Sequence, residues 1–217
     1  MMYSVIPPLS VPPARVMTVI GSGEVEVQPN YVQLQIEVRT EGEEVQLAQQ
    51  ENATIMSRVI ESLLVQGIPR EHIQTAAFNV FPQYDFIEGK QIFRGYEVTN
   101  ALTVKLNDID KTGLAIDTAV ASGANSISSI QFGLDNPELA YQQALQRALQ
   151  NAQTKAQTIA QTMQLSLHPQ PISIVEEQQQ NGPERYKMLA TANSQPGTPI
   201  EQGEISVPAT VTVKYQF

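Results

Sequence analysis

The sequence predicts an α+β fold: an antiparallel sheet with two long helices packed on one face. Three observations predict it. Period-two strands stand near both ends, where Val32, Leu34, Ile36 and Val38 alternate with Gln33, Gln35, Glu37 and Arg39, and where Ile205, Val207, Ala209, Val211, Val213, Tyr215 and Phe217 alternate with their neighbours. Two stretches, 45–66 and 137–165, carry apolar residues at helical spacing. Between them lie two β-rich arms joined by Glu88-Gly89, a hairpin rather than the crossover helix that parallel strands need.

From Val16 to Val27 apolar residues come to alternate, and Pro29-Asn30 marks a turn, so this run and the strand after it read as a hairpin. Gly21-Ser22-Gly23 resembles the start of a dinucleotide-binding loop. Glu26, however, stands where the third glycine belongs, and no helix pattern follows. The glycines instead mark a bulge or a close backbone approach. Thr40 and Glu43 read as a capping box for a helix whose stripe is Val45, Ala48, Asn52, Ile55, Val59 and Leu63, with Met56 and Ile60 beside it; Gly67 and Pro69 stop it at about Gln66.

In the central hairpin, Phe78, Val80, Pro82, Tyr84 and Phe86 share one face of the first arm, and Tyr96, Val98, Leu102, Val104 and Leu106 line the second. Asp108 caps a short helix through Val120, closed by Gly123, and Ile130 and Phe132 belong to a brief strand. Asn136-Pro137-Glu138 starts the second long helix, which runs to about Leu165 with Leu145, Leu149, Ala152, Ala156, Ile159 and Met163 as its stripe.

Alanines recur there at 140, 144, 148, 152, 156 and 160. A four-residue step drifts about 40° around a helix, so the row spirals through about 200°; the members it shares with the stripe are expected to face the sheet, and the others to sit in solvent or on a neighbour. Ile172 and Ile174 make another strand. Residues 177–203, rich in Gln, Asn, Gly and Pro, read as a long flexible loop. The order strand-helix-strand-strand over 31–106 recurs over 126–217, which suggests a duplicated unit sharing one sheet.

Composition bounds the function. The 217 residues carry a net charge of −9, and the few Lys and Arg are scattered, so nucleic acid and anionic membrane are poor partners. Cysteine is absent, which removes disulfides, thiolate nucleophiles and Cys-ligated metals. No stretch approaches the ~20 apolar residues of a membrane span. The opening "MMYSVIPPLSVPPARV" lacks the basic start of a signal peptide, and Pro7, Pro8, Pro12 and Pro13 favour an extended arm over residues 1–15 before a domain at 16–217; the same composition equally suits a disordered cytosolic N-terminus.

His72 and His168 stand without partners at hydrolase or metal spacing, and His168, close after the second long helix, suits its dipole. Glu43-Glu44 and Glu176-Glu177 are adjacent pairs that diverge into solvent. The expectation is therefore no catalytic residue, no cofactor and no metal. Aromatics are concentrated instead: Phe78, Phe81, Tyr84, Phe86, Phe93 and Tyr96 fall within the hairpin. Either they pack on the hairpin's own core, or Phe81, Tyr84, Phe86, Phe93 and Tyr96 form a self-association surface.

The blocks "VIGSGEVEVQPNYVQLQIEV", "LLVQGIPREHIQTAAFNVFPQY", "FRGYEVTNALTVKL", "SGANSISSIQFGL" and "ALQRALQNAQTKAQTIAQTM" resemble, in order, those of the SIMPL domain family over about 16–217. That bacterial family includes periplasmic immunogenic and oxidative-stress-defence proteins and has no agreed catalytic residues. The resemblance implies an extracytoplasmic location; the given chain shows no leader, so either one has been trimmed away or this member is cytosolic, and the proline arm favours the former. The absence of enzyme-like spacing and the resemblance together favour a non-enzymatic, self-assembling envelope protein active in stress defence. A small-ligand binder, or a hydrolase with an unrecognised site, is the alternative.

Overall fold

Strand β1 turns out not to be half of a hairpin. In the computed structural model, which describes residues 15–177, 185–187 and 198–217, the elements in chain order are β1 (Val16–Val27), β2 (Tyr31–Gly42), α1 (Val45–Val65), β3 (Ile73–Ile87), β4 (Lys90–Leu106), α2 (Thr112–Ala121), β5 (Ser126–Gly133), α3 (Glu138–Thr162), β6 (Ser173–Glu177), β7 (Arg185–Lys187) and β8 (Glu204–Gln216). Almost all of the expected N-terminal arm, and most of the expected loop 177–203, lie outside the described residues.

The α+β class, the antiparallel pairing and the two long helices are as the sequence predicts. The strands, however, divide between two sheets rather than sharing one: β8 lies between β1 and β6 and also pairs with β7, while the second sheet has the order β3-β4-β2-β5. The duplicated unit fails at β5, which pairs with β2 instead of joining β6 and β8. Asn125 explains this locally. Its Oδ1 accepts from the Arg39 N–H at 2.9 Å, its Nδ2 donates to the Arg39 carbonyl at 2.7 Å, and its own N–H donates to the Glu37 carbonyl at 3.1 Å. The β1–β2 link is likewise tied to the far end of β5, where Asn30 donates to the Gly133 carbonyl and accepts from the Asp135 N–H, each at 2.9 Å.

The chain forms two compact units. In the one holding β1, α3 and most of β8, the core is Met17, Val19 and Val25 of β1, the alanines of α3, and Ala209, Val211, Val213 and Tyr215 of β8. All six alanines from Ala140 to Ala160 are buried, whereas Ile159 and Met163, expected on the stripe, are exposed. None of the alanines outside the stripe is left in solvent, because helix and strand approach so closely. A Cβ on Gly21 would lie 2.1 Å from the Ala148 carbonyl oxygen, and one on Gly23 would lie 2.1 Å from that of Ala144. A helix sunk this far into the sheet is covered over a wider arc of its circumference, and only alanine fits there. Gly21 and Gly23 are thus the close approach the sequence suggests, within a continuous strand.

In the other unit, Val32, Leu34, Ile36 and Val38 of β2 and Leu102, Val104 and Leu106 of β4 pack against Met56, Val59 and Leu63 of α1, with Ala115, Ile116 and Ala119 of α2. The capping box is not formed. β2 runs on to Gly42, Thr40 pairs opposite Val98 within it, and the Thr40 hydroxyl donates to the Ala48 carbonyl at 2.8 Å. A β-branched threonine gains more from the ladder than from starting the helix four residues early. Asn52, fully buried on α1, donates through Nδ2 to the carbonyls of Val38 and Val98 at 2.9 and 3.1 Å, fastening the helix to two strands at once. The helix ends as expected at Gln66, before Gly67 at φ 89°.

Candidate interaction surface

The central hairpin is built by its turn and two bulges. Glu88 and Gly89 sit at φ 51° and 78°, the pair of positive values that a two-residue turn matched to strand twist requires. Bulges interrupt the β3–β4 register between Thr75 and Ala77 and between Gln83 and Tyr84. Pairing with β2 ends at Gly42, opposite Tyr96, so Gln83–Gly95 continues alone as a two-stranded ribbon of roughly 17 Å at about 3.3 Å per residue. At its base Gly95, at φ 150°, rests on the backbone of Gly42, where a Cβ would lie 2.7 Å from the carbonyl oxygen. Arg94 is the extra residue of the second bulge, and its guanidinium is paired with the Glu41 carboxylate.

That bulge decides which aromatics meet. Phe93 and Tyr96 are three apart and in a regular strand would face opposite ways. With Arg94 extruded, Phe93 lies opposite Tyr84 and Tyr96 opposite Pro82, on the same face. The rings form a ladder: Tyr84 to Phe93 at 5.7 Å and Phe93 to Tyr96 at 5.2 Å between centroids, both edge-to-face. Phe86 continues this face toward the turn, 77% exposed. Phe78 and Val80 extend it along β3, which α1 does not cover. Of the five residues expected to form the surface, four therefore converge. Phe81 does not: it pairs opposite Glu97 on the other face, where it stands with Ile87 and Ile92. Ile87 and Ile92 were not anticipated; their alternation with Phe86 and Phe93 is the signal that marks them.

Apart from half-buried Tyr96, the hairpin's aromatics do not pack into the core. Phe78, Phe81, Tyr84, Phe86 and Phe93, with Ile87 and Ile92, are all exposed. Apolar exposure on both faces of a two-stranded ribbon is more than a strand needs for its own fold. Beside the ribbon lies a shallow depression of about 160 Å³, lined by Glu41, Gly42, Glu43, Gln83, Arg94, Gly95 and Tyr96.

The other residues considered for chemistry lie apart. His72 closes the single 3-10 turn Arg70–His72 before β3. His168 follows α3, which stops at Thr162, by six residues, and its backbone N–H donates to the Gln216 carbonyl at 2.9 Å. Among the described residues no three His, Asp or Glu side chains gather as metal ligands, and no helix is long and apolar enough to cross a membrane. The most enclosed acid is Glu37, on the face of β2 away from α1. It accepts from Gln35 at 3.1 Å and from Arg39 at 2.8 and 3.3 Å. Hydrogen bonds from Ser128 and Arg39 hold its carboxyl below the ordinary value, which keeps it ionised.

The sequence profile of the SIMPL family, described as a protein of unknown function (DUF541), matches residues 17–215. The chain belongs to this family. SIMPL relatives include the uncharacterized protein YggE of Escherichia coli K12, 28% identical over 118 residues, which are 54% of this chain and 48% of the relative. The 26 kDa periplasmic immunogenic protein of Brucella melitensis is 26% identical over 137 residues, 61% of this chain and 54% of the relative. A YggE of Edwardsiella ictaluri is 25% identical over 125 residues, 57% and 52% of the two chains. The chain spans about half the length of the curated relatives it matches.

Proposed function

We propose that this SIMPL protein is a non-enzymatic, self-assembling component of the bacterial cell envelope whose copies associate through the β3–β4 ribbon. The observation that carries the reading is the Tyr84–Phe93–Tyr96 ladder, continued by Phe86, of which Tyr84, Phe86 and Phe93 are exposed within the single chain. Aromatic anchors of this kind supply most of the energy of protein interfaces. The Brucella relative's name places that protein in the periplasm, which supports an extracytoplasmic setting here. Stress defence is the setting the family resemblance suggests.

Sedimentation velocity over a range of concentrations tests the assembly. The expected result is an oligomer whose mass drops when Phe86 and Phe93 are both changed to Ser, with the far-ultraviolet circular dichroism unchanged. A monomeric wild type at the highest concentration removes the assembly claim. Turnover of a substrate that is lost on changing His72 or His168 removes the non-enzymatic claim and favours the hydrolase reading.

A further inference from the structure

Among the described residues β3 is the outermost strand of its sheet, paired to β4 on one side only. It is fifteen residues long, and the side chains beside its free edge include Phe78, Val80, Phe81, Tyr84 and Phe86, all exposed. A long edge of this composition is a template on which another chain's strand can pair, and "AAFNVFPQYDFI" has the β-forming, weakly charged character of segments that do so indefinitely. In the middle of it stands Pro82.

Proline has no N–H, and its place in the ladder follows from that. Residues opposite one another in an antiparallel pair alternate between those that exchange hydrogen bonds and those that do not. Pro82 lies opposite Tyr96 within continuous β3–β4 pairing. It sits there without forfeiting a bond to β4 only at a non-bonded pair, where the backbone nitrogen points away from β4 toward the free edge. The missing amide is therefore missing from the edge itself, between the runs Phe78–Phe81 and Gln83–Ile87.

We propose that Pro82 closes the free edge of β3 to strand pairing by other chains, so that the apolar ribbon stays available through its side chains without propagating through its backbone. The proposal does not depend on the ribbon being the self-association surface. It concerns how β3 is kept from adding strands, whatever its faces bind.

Two variants restore the amide: Pro82→Val with a strand-forming side chain, and Pro82→Ala with a small one. Amide exchange of Pro82→Ala, followed by nuclear magnetic resonance, reads the geometry directly. The amide of residue 82 should exchange as fast as solvent-exposed amides; protection equal to that of its β4-bonded neighbours overturns the proposal. The second readout is association. Pro82→Val should form thioflavin-binding, β-rich species of growing mass that the wild type does not form. It should also bind a synthetic peptide of residues 76–86, carrying Val at 82, about five- to tenfold more tightly than the wild type does, the worth of a restored backbone hydrogen bond.

Pro82→Ala should shift the same way by less, and it serves where Pro82→Val folds poorly. Wild-type mass distribution and peptide affinity in both variants overturn the proposal. A monomeric wild type removes the self-assembly reading and leaves this test intact, because the variants must then convert that monomer into larger species.

Discussion

Gly21 of β1 and Ala148 of α3 meet backbone to backbone: a Cβ on Gly21 would lie 2.1 Å from the Ala148 carbonyl oxygen and 2.7 Å from the Cβ of Ala152. The helix is held there by polar contacts at its margins as well. Arg147 donates to the Glu24 carbonyl at 2.6 Å, Lys155 donates to the Ile20 carbonyl at 2.8 Å, and Asn151 accepts from the Ser22 N–H at 3.2 Å. A neighbour that is backbone cannot swing aside, so the fit tolerates no added atom. Gly21→Ala and Gly23→Ala should each destabilise by about 3 kcal/mol, and Ala148→Leu should cost about 1–3 kcal/mol, no less than Ala156→Leu. Urea unfolding monitored by circular dichroism measures all four. A Gly21→Ala midpoint equal to the wild type's would show that helix and strand do not approach this closely.

Asn52 is the polar tie between α1 and the sheet. Removing its amide leaves the Val38 and Val98 carbonyls without that donor in a sealed core. Asn52→Leu should therefore cost about 2 kcal/mol despite its greater apolar bulk. Asn52→Asp should cost more at neutral pH, because a buried carboxylate cannot donate and has no cation beside it. Denaturant titrations of the two variants check the order. Asn52→Leu as stable as the wild type would mean that these bonds add nothing net.

Glu37 makes part of the stability depend on acid. Its carboxyl titrates below the ordinary 4.5 because Ser128, Arg39 and Gln35 hydrogen-bond the ionised form. A group depressed on folding binds fewer protons folded than unfolded across that interval. Its contribution is thus complete above about pH 4.5 and is lost as the pH falls through the folded value. Glu37→Gln should be less stable than the wild type at neutral pH, and the difference should shrink on acidification below that point. Unfolding midpoints measured from neutral to acid pH test the sign. A difference that grows on acidification contradicts it.

Thr198 is held by Asp117 of α2. Thr198 donates to that carboxylate through its N–H at 3.1 Å and its hydroxyl at 2.6 Å, and its carbonyl lies where a side chain on Gly113 would stand. Asp117→Ala should release this staple, speed amide exchange at Thr198, and expose Ile200, which packs on the core. Hydrogen exchange read by mass spectrometry checks it. Unchanged protection at 198–200 would show that Ile200 alone holds the segment.

Much of this protein was determined by local sequence. The period-two runs became β2 and β8, Gly67 and Gly123 ended their helices at positive φ, and Glu88-Gly89 made the hairpin turn, because each follows from φ/ψ preference and side-chain period within a few residues. The aromatic concentration on the hairpin was legible for the same reason, since residue identity alone reveals it. Partner choice was not. Nothing in the run from Val16 to Val38 says that β1 pairs with β8 while β2 pairs with β4 and β5, because strand pairing is decided by bonds to segments roughly a hundred residues away, such as those of Asn125 and Gly133. The two bulges that turn Phe93 and Tyr96 to one face were equally hidden, since one extruded residue reverses a parity that sequence spacing takes as constant. The burial of all six α3 alanines likewise came only with the tertiary structure. Helical periodicity gives the direction in which each side chain points, but how deep the helix sinks, and so how wide an arc it buries, was decided by two glycines on a different strand.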